Sequence, residues 1–395
     1  MTLRVRAVST LPDLRALAPA WDEVLARSET ATPFLTHAWI TAWWEAFGAD
    51  QDLFILVLED DSGVAGIAPF ARARRRAGPL SYRALEIAGT GPLRFLGMGL
   101  SDRSDFLLAR RREECAAAVL DRLEAERASW DVVDLRFLPE SSVTARVLPE
   151  RARAAGLGTA RATCSDSPFL PLAGTWDDYV AMRGKSFRQR ISRGMRRLEE
   201  AGEVRFELDA GEIEPAAALR AAIEVSLESW KERVGSALFL HSRVRDFFEA
   251  LVPRLAARDG FYAALLRVGG RVAAHELGFR MDRKLWSYDS AFRREFAAGS
   301  PGTVLTAKVL ERAWGHGLSE YDFMRGGESY KTAWTASVRR EIQLVLDSGT
   351  ARARVARRIA FEAKWALKRR PALVRAQYRL AGIVNRLVER GRLRG

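Results

Sequence analysis

The chain has 395 residues, of which 48% are apolar, and its formal net charge is +13 at pH 7. This length is enough for two domains and an additional segment, so a single small module is excluded. The two cysteines, Cys115 and Cys164, are too few and too far apart for a disulfide framework or a zinc knuckle. Because no apolar run of transmembrane length and no signal-peptide pattern occurs, we expect a cytoplasmic protein.

The positive charge is concentrated at the C-terminal end of the chain. Residues 351–395 carry 14 Arg or Lys and 2 Glu, a net charge of +12, whereas residues 1–350 carry 49 basic and 48 acidic residues, a net charge of +1. Apolar residues at helical spacing, beginning with Val355 and Ile359, predict that residues 349–395 form a basic, amphipathic, helical tail. We expect this tail to meet an anionic membrane at its inner face. RNA is the alternative partner, although the tail has no base-stacking platform.

Two distant segments share one layout of strand, glycine turn and strand. They are Leu53–Arg74 and Phe261–Phe292. Each is followed by a stretch with apolar residues at helical spacing, and then by a strand that contains an aspartate, Asp134 or Asp322. A duplicated domain explains this repeated order. The first copy has about 18 extra residues, which we place in the Gly-rich stretch at 89–105.

The junction of the two copies is predicted near residue 165. Ser165–Pro171 is rich in turn-forming residues, so we predict a first domain at 1–165, a second domain at 166–348 and the tail at 349–395. The sequence SVRREIQLVLDS near the end of the second domain is expected to be its closing strand. Both domains are expected to be of the α/β class.

Long helices are predicted between the junction and the second hairpin. The first, at 186–202, has an apolar stripe at helical spacing and arginines over the rest of its surface, and two more are predicted at Glu214–Arg233 and Val244–Arg258. Arg188 and Arg190 are candidates to clamp a phosphate group of a nucleotide-linked or lipid-linked acceptor. The alternative interpretation is a solvated helix face.

The segment with the most chemical information is Tyr288–Trp334. In it a strand is joined to a helix through Gly-Ser-Pro-Gly at 299–302, where Ser300 is predicted to cap the helix and Pro301 suits its first position. Glycines let a ligand approach the backbone, and the free N–H groups of a helix N-terminus attract phosphate. An ordinary helix start is the alternative. The candidates for phosphate binding are Gly299, Ser300, Gly302 and Thr303.

These motifs resemble a known superfamily. The hairpin, the YDSAF strand, the SPGTVL helix start and YDFMRGGESYK follow one another between His275 and Lys331. They resemble the second domain of GNAT-superfamily acetyltransferases of the cellulose-biosynthesis (CelD-like) type, which are similar to the tandem-domain FemAB aminoacyltransferases. The opening at Pro33–Gly48 belongs to the same resemblance. It implies an α/β fold of two tandem GNAT-like domains, each with a mixed sheet and flanking helices.

The resemblance also implies acyl-CoA, in the simplest case acetyl-CoA, as a co-substrate. Its pyrophosphate is expected at Gly299–Thr303, and its thioester carbonyl at the strand Trp286–Ala291, which includes Tyr288. Phe296 and Pro301 stand where the superfamily loop usually has Gln or Arg and a small residue.

Acyl transfer from a thioester needs a base for the acceptor, a donor for the developing oxyanion and a proton for the leaving thiolate. Alternation along the strand directs His275 and Glu276 to opposite faces, so that one of them is expected to face the cleft. His275 is the leading candidate for the general base, because of the four histidines it lies in the strand nearest the cleft. The alternative is a hydrogen-bonded core histidine.

Two aspartates are further catalytic candidates. Asp289 and Asp322 lie on strands where apolar residues are the default, so they need partners, and Arg325 and Lys331 are available. A structural ion pair is the alternative. Tyr330 is a candidate donor of the thiolate proton, and Arg325 and Lys331 are candidates for binding an anionic acceptor.

Three functions are consistent with the sequence. The first is an acyltransferase that moves an acyl group from acyl-CoA to an amine or hydroxyl of a small molecule or glycan precursor, with the second domain catalytic and with no metal. The second is a FemAB-like aminoacyltransferase that uses aminoacyl-tRNA, the one nucleic acid expected as a partner. The third is a non-catalytic scaffold that binds a membrane or RNA.

Overall fold

The computed structural model describes residues 3–90, 99–208, 212–229, 231 and 237–368. Within these residues the chain forms two compact units. The first comprises the chain up to Asp166 together with the residues from Arg339 onwards, and the second comprises Ser167–Val338. Each unit combines a mixed β-sheet with helices, which confirms the α/β fold class predicted from the sequence.

The first unit is built from the N-terminal part of the chain and one strand from near its C-terminus. Its strands are β1 (Arg4–Val8), β2 (Gln51–Asp60), β3 (Gly63–Ala77), β4 (Leu80–Ile87), β5 (Leu107–Leu108), β6 (Val132–Pro139) and β13 (Val338–Asp347). Its helices are α1 (Leu11–Ala16), α2 (Ala18–Arg27), α3 (His37–Phe47), α4 (Arg112–Ala125) and α5 (Val143–Ala154). The hairpin predicted from Leu53 onwards is formed by β2 and β3.

The sheet of the first unit has the strand order β1-β2-β3-β4-β6-β13. Neighbouring strands are antiparallel except β4 and β6, which run parallel. The residues Leu53–Leu58 of β2 are all buried, as their unbroken apolar sequence predicts. Helices α4 and α5 contribute Leu120 and Leu148 to the same hydrophobic core.

The second unit contains all the candidate site residues. Its strands are the last part of β7 (Gly158–Pro171), β8 (Val204–Leu208), β9 (Phe261–Val268), β10 (Arg271–Met281), β11 (Lys284–Phe292) and β12 (Glu320–Asp322). Its helices are α6 (Trp176–Met182), α7 (Gly184–Ala201), α8 (Pro215–Glu228), α9 (Ser242–Ala256), α10 (Pro301–Gly315) and α11 (Ser329–Thr332). The helix predicted at Glu214–Arg233 is α8, and the end predicted at 230–233 lies, apart from Lys231, outside the described residues.

The sheet of the second unit has the strand order β8-β9-β10-β11-β12-β7. Strands β11 and β12 run parallel, and the other neighbours are antiparallel. The prediction of a turn-rich connection at Ser165–Pro171 is wrong, because this segment is the last part of β7. Its end pairs with Glu320–Asp322 of β12, and these hydrogen bonds keep it extended.

The two units repeat one order of elements. A hairpin, β2–β3 or β9–β10, leads to a strand, then to a helix, and then to a strand that pairs parallel with the one before the helix. The two parallel pairs are β4 with β6 and β11 with β12, and a parallel pair requires a crossover connection of this kind. The repeated order agrees with a duplicated domain. The Gly-rich stretch at 89–105, to which we assign the extra residues, lies only partly within the described residues.

The described part of the C-terminal segment packs on the first unit. Strand β13, which the sequence suggests is the closing strand of the second domain, instead pairs with β6 through Ile342–Asp347 and belongs to the sheet of the first unit. It is followed by α12 (Ala351–Arg357), a π-helical turn (Arg358–Glu362) and α13 (Ala363–Lys368). These bury Ala356 and Phe361 in one cluster with Tyr82. The rest of the predicted tail, residues 369–395, lies outside the described residues.

None of the helices in the described part of the chain has both the length and the apolar character needed to cross a membrane.

Candidate functional site

Strand β11 is bulged where it passes β10. Asp289 pairs with Leu277 of β10, and Ser287 pairs with the next residue of β10, Gly278. Tyr288, which lies between Ser287 and Asp289, therefore has no partner in β10. Gly278 is required here, because a Cβ at this position would lie 2.0 Å from the carbonyl oxygen of Trp286. A bulge of this kind bends a strand and redirects its side chains, and bulges are common next to active sites.

Tyr288, a predicted cofactor contact, lies at the bulge among aromatic side chains. Its ring packs against Phe248 of α9 and Phe279 of β10, with ring centroids 5.7 Å and 5.3 Å apart. The Tyr288 side chain thus packs between β10 and α9.

Beyond the bulge, β11 has a strand neighbour on one side only within the described residues. Its parallel pairing with β12 covers Lys284–Trp286 and then stops. The chain turns away after Asp322, and the amide of Phe323 donates to the carbonyl of Pro168 instead. Residues 287–292 therefore line a gap between two strands, where backbone groups of β11 are available to bind a ligand.

Asp289, beside the bulge, is held by two basic side chains. His275 Nε2 donates to Asp289 Oδ2 over 3.0 Å, and Lys231 Nζ donates to Asp289 Oδ1 over 3.2 Å and to the carbonyl oxygen of Ser290 over 2.6 Å. Burial acts to raise the pKa of Asp289, but the charge of Lys231 and the hydrogen bond from His275 outweigh it, so this pKa lies well below its ordinary value. The carboxylate is therefore ionised at neutral pH.

The structure places His275 in the protein interior. Its side chain is 0% exposed, and its Nδ1 atom is buried and makes no hydrogen bond to any described residue. An acceptor has no access to this imidazole, whereas the side chain of Asp289 is 6% exposed and that of Lys231 is 24% exposed. The imidazole of His275, the predicted general base, is thus enclosed and contacts Asp289 instead of the open cleft. The partners of Asp289 are thus His275 and Lys231, and not the residues suggested by the sequence.

A short turn connects β11 to α10. It contains a 3-10 helix at Arg294–Gly299, and Ser300 follows in the left-handed region with φ 50° and ψ 52°. Ser300 is the N-cap residue and Pro301 the first residue of α10, as predicted, but the side chain of Ser300 makes no capping hydrogen bond. Its carbonyl oxygen accepts from the amides of Thr303 and Val304 instead.

The start of α10 has room for an anion. A Cβ added at Gly302 would meet only Phe292 Cδ1, at an ordinary contact distance of 3.7 Å. Because α10 extends over 15 residues, its dipole places partial positive charge at this end. Gly299 has no such room, since an added Cβ would lie 2.6 Å from Leu198 of α7. Of these two glycines of the predicted phosphate site, Gly299 allows close packing against α7, and Gly302 leaves space for a ligand at the helix start.

Helix α7 packs across this turn and exposes basic residues. Gly194 lets the two backbones approach, because an added Cβ would lie 2.8 Å from the carbonyl oxygen of Gly299. Arg188 and Arg190 are exposed on α7 and pair with no acidic side chain in the part of the chain that the structure describes. The guanidinium of Arg190 lies 5.4 Å from the centre of the Phe187 ring. Both arginines are therefore available to an anion.

The loop after β12 holds further predicted residues. Asp322 is fully buried and accepts a hydrogen bond from the amide of Met324. Lys331 is also buried, and its Nζ donates to the carbonyl oxygen of Arg325 over 2.5 Å and lies 3.1 Å from the carboxylate of Glu328. Asp322 and Lys331 thus make their contacts within this loop and stabilise its conformation.

Tyr330 lies on α11 and reaches the bulge. Desolvation raises the pKa of Tyr330, although 54% of the residue is exposed. The nearby carboxylates Glu328, Glu276 and Asp289 raise it further, whereas a hydrogen bond with the Ser290 side chain lowers it. The structure thus brings Tyr330, Ser290 and Asp289 together beside the half-paired part of β11.

A second polar cluster lies on the opposite face of β10, under α10. Glu276 is 1% exposed and accepts a hydrogen bond from the Tyr321 hydroxyl over 2.5 Å and another from Thr306 over 3.4 Å. Burial raises the pKa of Glu276 to about 7, and hydrogen bonds from Tyr321, Ser287 and Thr306 oppose the rise. Because His275 points to Asp289 and Glu276 to α10, the predicted alternation of the two side chains agrees with the structure.

Comparison with known proteins gives the family of this part of the chain. The family model described as an acetyltransferase (GNAT) domain matches residues 185–332, which extend from α7 to α11 and include the bulge, the turn and α10. The second unit contains a GNAT acetyltransferase domain. The match supports the GNAT-type acyltransferase that the sequence predicts for the second domain. No curated protein matches the chain significantly.

Several solved structures resemble the fold of most of this chain, including the GNAT domain. FemX matches with a TM-score of 0.58 and 12% identity over 90% of this chain and 99% of its own. L-PGS from Bacillus licheniformis has a TM-score of 0.51 and 10% identity, over 84% of this chain and 92% of its own. The C-terminal domain of a putative lysylphosphatidylglycerol synthetase from Agrobacterium fabrum has a TM-score of 0.50 and 12% identity, over 89% and 96%. At such identities the likeness concerns the fold alone.

Sequence reasoning missed two residues of the GNAT domain's candidate site. Lys231 lies 58 residues before Asp289 in the chain, so no local pattern connects the two. Ser290 follows Asp289 directly, and the polar interruption of the YDSAF strand is the signal that points to it. No group of three or more His, Cys, Asp or Glu side chains among the described residues is placed to hold a metal ion.

Replacing Glu276 by glutamine is expected to stabilise the GNAT domain at high pH. The pKa of Glu276 is about 7 in the fold against 4.5 as the ordinary value, so its protonated form is favoured, and its contribution to stability is lost as the pH rises from about 4.5 through 7. Glutamine stays neutral and still accepts from Tyr321. The gain is up to about 3 kcal/mol at pH 8 and close to zero at pH 4.5.

Thermal unfolding at both pH values measures this difference, with Glu311→Gln on the exposed side of α10 as the matched control. An E276Q variant that changes stability equally at the two pH values would contradict the assignment of the buried proton to Glu276.

Proposed function

We propose that the GNAT domain transfers an acyl group, in the simplest case acetyl, from acyl-CoA to an amine or hydroxyl of a small-molecule or glycan-precursor acceptor. The observation that carries the proposal is the bulged, half-paired end of β11, which has Asp289 and Tyr330 beside it and leads into the open start of α10. We assign the protein to the cellulose-biosynthesis (CelD-like) type on its sequence motifs.

Acyl-CoA fits the groups that this part of the chain presents. The N-terminus of α10, with space beside Gly302, suits the diphosphate of CoA. The backbone of residues 287–292 suits an extended pantetheine chain and offers N–H groups to the thioester carbonyl. Acyl-CoA supplies a carbonyl carbon that is activated by its thiolate leaving group.

Asp289 and Tyr330 supply the two proton transfers of the reaction. The acceptor's nucleophilic atom forms a bond to the acyl carbon and loses its proton to the Asp289 carboxylate, while the carbon–sulfur bond breaks and the thiolate takes a proton from the Tyr330 hydroxyl. Lys231 and His275 hold Asp289 ionised and in place. The Tyr330 hydroxyl is protonated at neutral pH, because its pKa lies above the ordinary value.

The basic residues of α7 favour an acceptor that carries a phosphate group. Arg188 and Arg190 are exposed, and α7 packs against the turn before α10 through Gly194. Arginine binds phosphate with two parallel hydrogen bonds, so each of these side chains separately suits a phosphate of a nucleotide-linked or lipid-linked acceptor.

Release of CoA from acetyl-CoA in the presence of single acceptors tests the proposal. The panel contains amino sugars, nucleotide-linked sugars, amino acids and sugar alcohols, and product mass identifies the acylated atom. We expect CoA release with at least one acceptor, and stronger release with a phosphate-bearing acceptor than with its dephosphorylated form. If a folded sample releases no CoA with any acceptor of the panel, the proposal is contradicted.

A FemAB-like aminoacyltransferase reaction is the second candidate, and the basic side of α7 favours it. Lys185, Arg188, Arg193 and Arg196 are exposed along this helix, with Lys185, Arg188 and Arg196 at i, i+3 and i+11. Such a row suits the phosphates of an RNA strand. Binding of aminoacyl-tRNA together with no binding of acyl-CoA would move the assignment to this reaction.

A further inference from the structure

The turn before α10 has a basic side chain fixed against it. Arg197 of α7 donates from one guanidinium nitrogen to the carbonyl oxygen of Ala298 over 2.9 Å. A guanidinium has five N–H donors in a planar fork, so this single contact leaves most of the fork available to a ligand. The residue is exposed, and within the residues that the structure describes it pairs with no acidic side chain. Arg197 therefore brings an unneutralised positive charge to this turn.

The acidic residues that lie near this arginine in α7 and in the turn do not cancel its charge. Glu200 of α7 lies 3.6 Å from Arg196. Glu295 of the turn pairs with Arg271 over 3.0 Å. Glu199 comes two residues after the arginine, and residues two apart on a helix do not face each other. The charge is thus open to an anion from outside.

Close packing fixes α7 against the turn at this place. A Cβ added at Gly194 would lie 2.8 Å from the carbonyl oxygen of Gly299, and one added at Gly299 would lie 2.6 Å from Leu198, the neighbour of Arg197. These contacts hold the backbone of the arginine in position before any ligand binds. Such preorganisation lowers the entropy cost of binding.

The start of α10 has few amide groups for an anion. Pro301 has no N–H, and the amides of Thr303 and Val304 donate to the carbonyl oxygen of Ser300. Of the first four residues of α10, all of which the structure describes, Gly302 alone has an amide without a protein acceptor. The helix dipole adds only about half a positive charge, whereas the diphosphate of CoA is charged on both phosphate groups. A diphosphate here needs a further positive group.

Arg197 lies close enough to this helix start to supply that group. Ala298, which accepts its hydrogen bond, precedes Gly302 by four residues, and tight turns connect the two. In these turns the amides of Ser300 and Thr303 each donate to the carbonyl oxygen three residues before them. At a rise of about 2 Å per residue in such turns, four residues cover roughly 8 Å. A diphosphate can therefore meet the Gly302 amide with one phosphate and the guanidinium with the other.

We propose that Arg197 binds the diphosphate of acyl-CoA together with the amide of Gly302. The inference rests on the proposed function, since it needs acyl-CoA as the donor, and it adds a side chain from α7 to a site formed otherwise by backbone groups. Arginine binds phosphate oxygens through paired, charge-assisted hydrogen bonds. Loss of this side chain is expected to raise Kd and KM for acyl-CoA and to leave kcat unchanged, because the residue does not contact the reacting atoms.

Isothermal titration with acetyl-CoA and with 3′-dephospho-acetyl-CoA tests the proposal on the wild type, Arg197→Gln and Arg220→Gln. Arg220 is the matched control, because it is an exposed arginine on another helix, α8, and lies 3.9 Å from Glu214. We expect R197Q to bind both donors at least about tenfold more weakly, as the loss of a hydrogen bond between charged groups implies. R220Q is expected to bind as the wild type does.

Salt separates contact with phosphate from a structural role of Arg197. Added salt is expected to weaken acetyl-CoA binding more steeply in the wild type than in R197Q, because a charge contact is screened and a change in packing is not.

Four results would overturn the role of Arg197 and leave the proposed function intact. They are equal affinities of R197Q and the wild type, equal losses in R197Q and R220Q, a loss confined to the donor that carries the 3′-phosphate, and equal salt dependence in R197Q and the wild type. A folded wild type that binds neither donor would instead contradict the proposed function, and the role of Arg197 with it.

Discussion

Replacing Asp289 by asparagine is expected to lower kcat for acyl transfer by about 100-fold to 10,000-fold. Asparagine keeps the size of the side chain but loses one of the two accepting oxygens, the charge that pairs with Lys231 and the ability to accept the proton of the acceptor. The ion pair with Lys231 and the hydrogen bond from His275 hold the pKa of Asp289 well below its ordinary value, so the wild-type base stays ionised throughout the pH range of an assay. We therefore expect KM for acyl-CoA to change by less than about threefold, because the donor contacts other residues.

Asp282→Asn is the matched control for this variant. Asp282 lies in the turn between β10 and β11, its side chain is 80% exposed, and its ion pair with Lys284 has a separation of 3.8 Å. We expect its kcat to equal that of the wild type. The rates are measured as CoA release with the acceptor found in the panel. A D289N variant that retains more than about a tenth of the wild-type kcat would remove Asp289 from the role of general base.

The order of elements could be predicted from the sequence because its signals are local. Apolar runs separated by a glycine turn define the hairpins β2–β3 and β9–β10, and the Gly-Ser-Pro-Gly turn defines the start of α10. The repetition of hairpin, strand, helix and strand is a comparison of such local signals at two places in the chain. It needs no knowledge of which strands pair.

Strand partners could not be predicted in the same way. The sequence of β13 predicts a strand, but its pairing with β6 joins residues about 200 positions apart, from Ile342–Asp347 to Val132–Leu138. The last three residues of Ser165–Pro171 pair with β12, and this pairing outweighs the turn-forming tendency of the segment there. Both differences arise from pairing between distant segments.

The sequence predicts the region of the candidate site, but it does not predict what each side chain in that region contacts. Asp289 and Tyr330 are candidates from their residue types and positions, whereas the burial of His275 arises from packing around β10 and has no local sequence signal. The bulge at Tyr288 is a change of register between two strands, for which the sequence shows only Gly278. The left-handed conformation of Ser300 occurs where the preceding turn packs closely on α7, a contact between distant segments that the local sequence does not show.

A tryptophan at position 302 is expected to abolish donor binding. Gly302 is the second residue of α10, and its Cα faces open space with only Phe292 Cδ1 near an added Cβ, so alanine is tolerated there and a large ring fills the space. The ring would displace a diphosphate from the helix start, at a cost of at least two charge-assisted hydrogen bonds, or about 100-fold or more in affinity. Gly315→Trp at the other end of α10, where an added Cβ meets no atom within 4 Å, is the matched control.

Isothermal titration of acetyl-CoA and longer acyl-CoAs into the wild type, Gly302→Trp and Gly315→Trp tests the central claim, that the second unit uses an acyl-CoA bound at the start of α10. We expect micromolar binding by the wild type and by Gly315→Trp, and no measurable binding by Gly302→Trp. Failure of a folded wild-type sample to bind any acyl-CoA, or undiminished binding by Gly302→Trp, would contradict it.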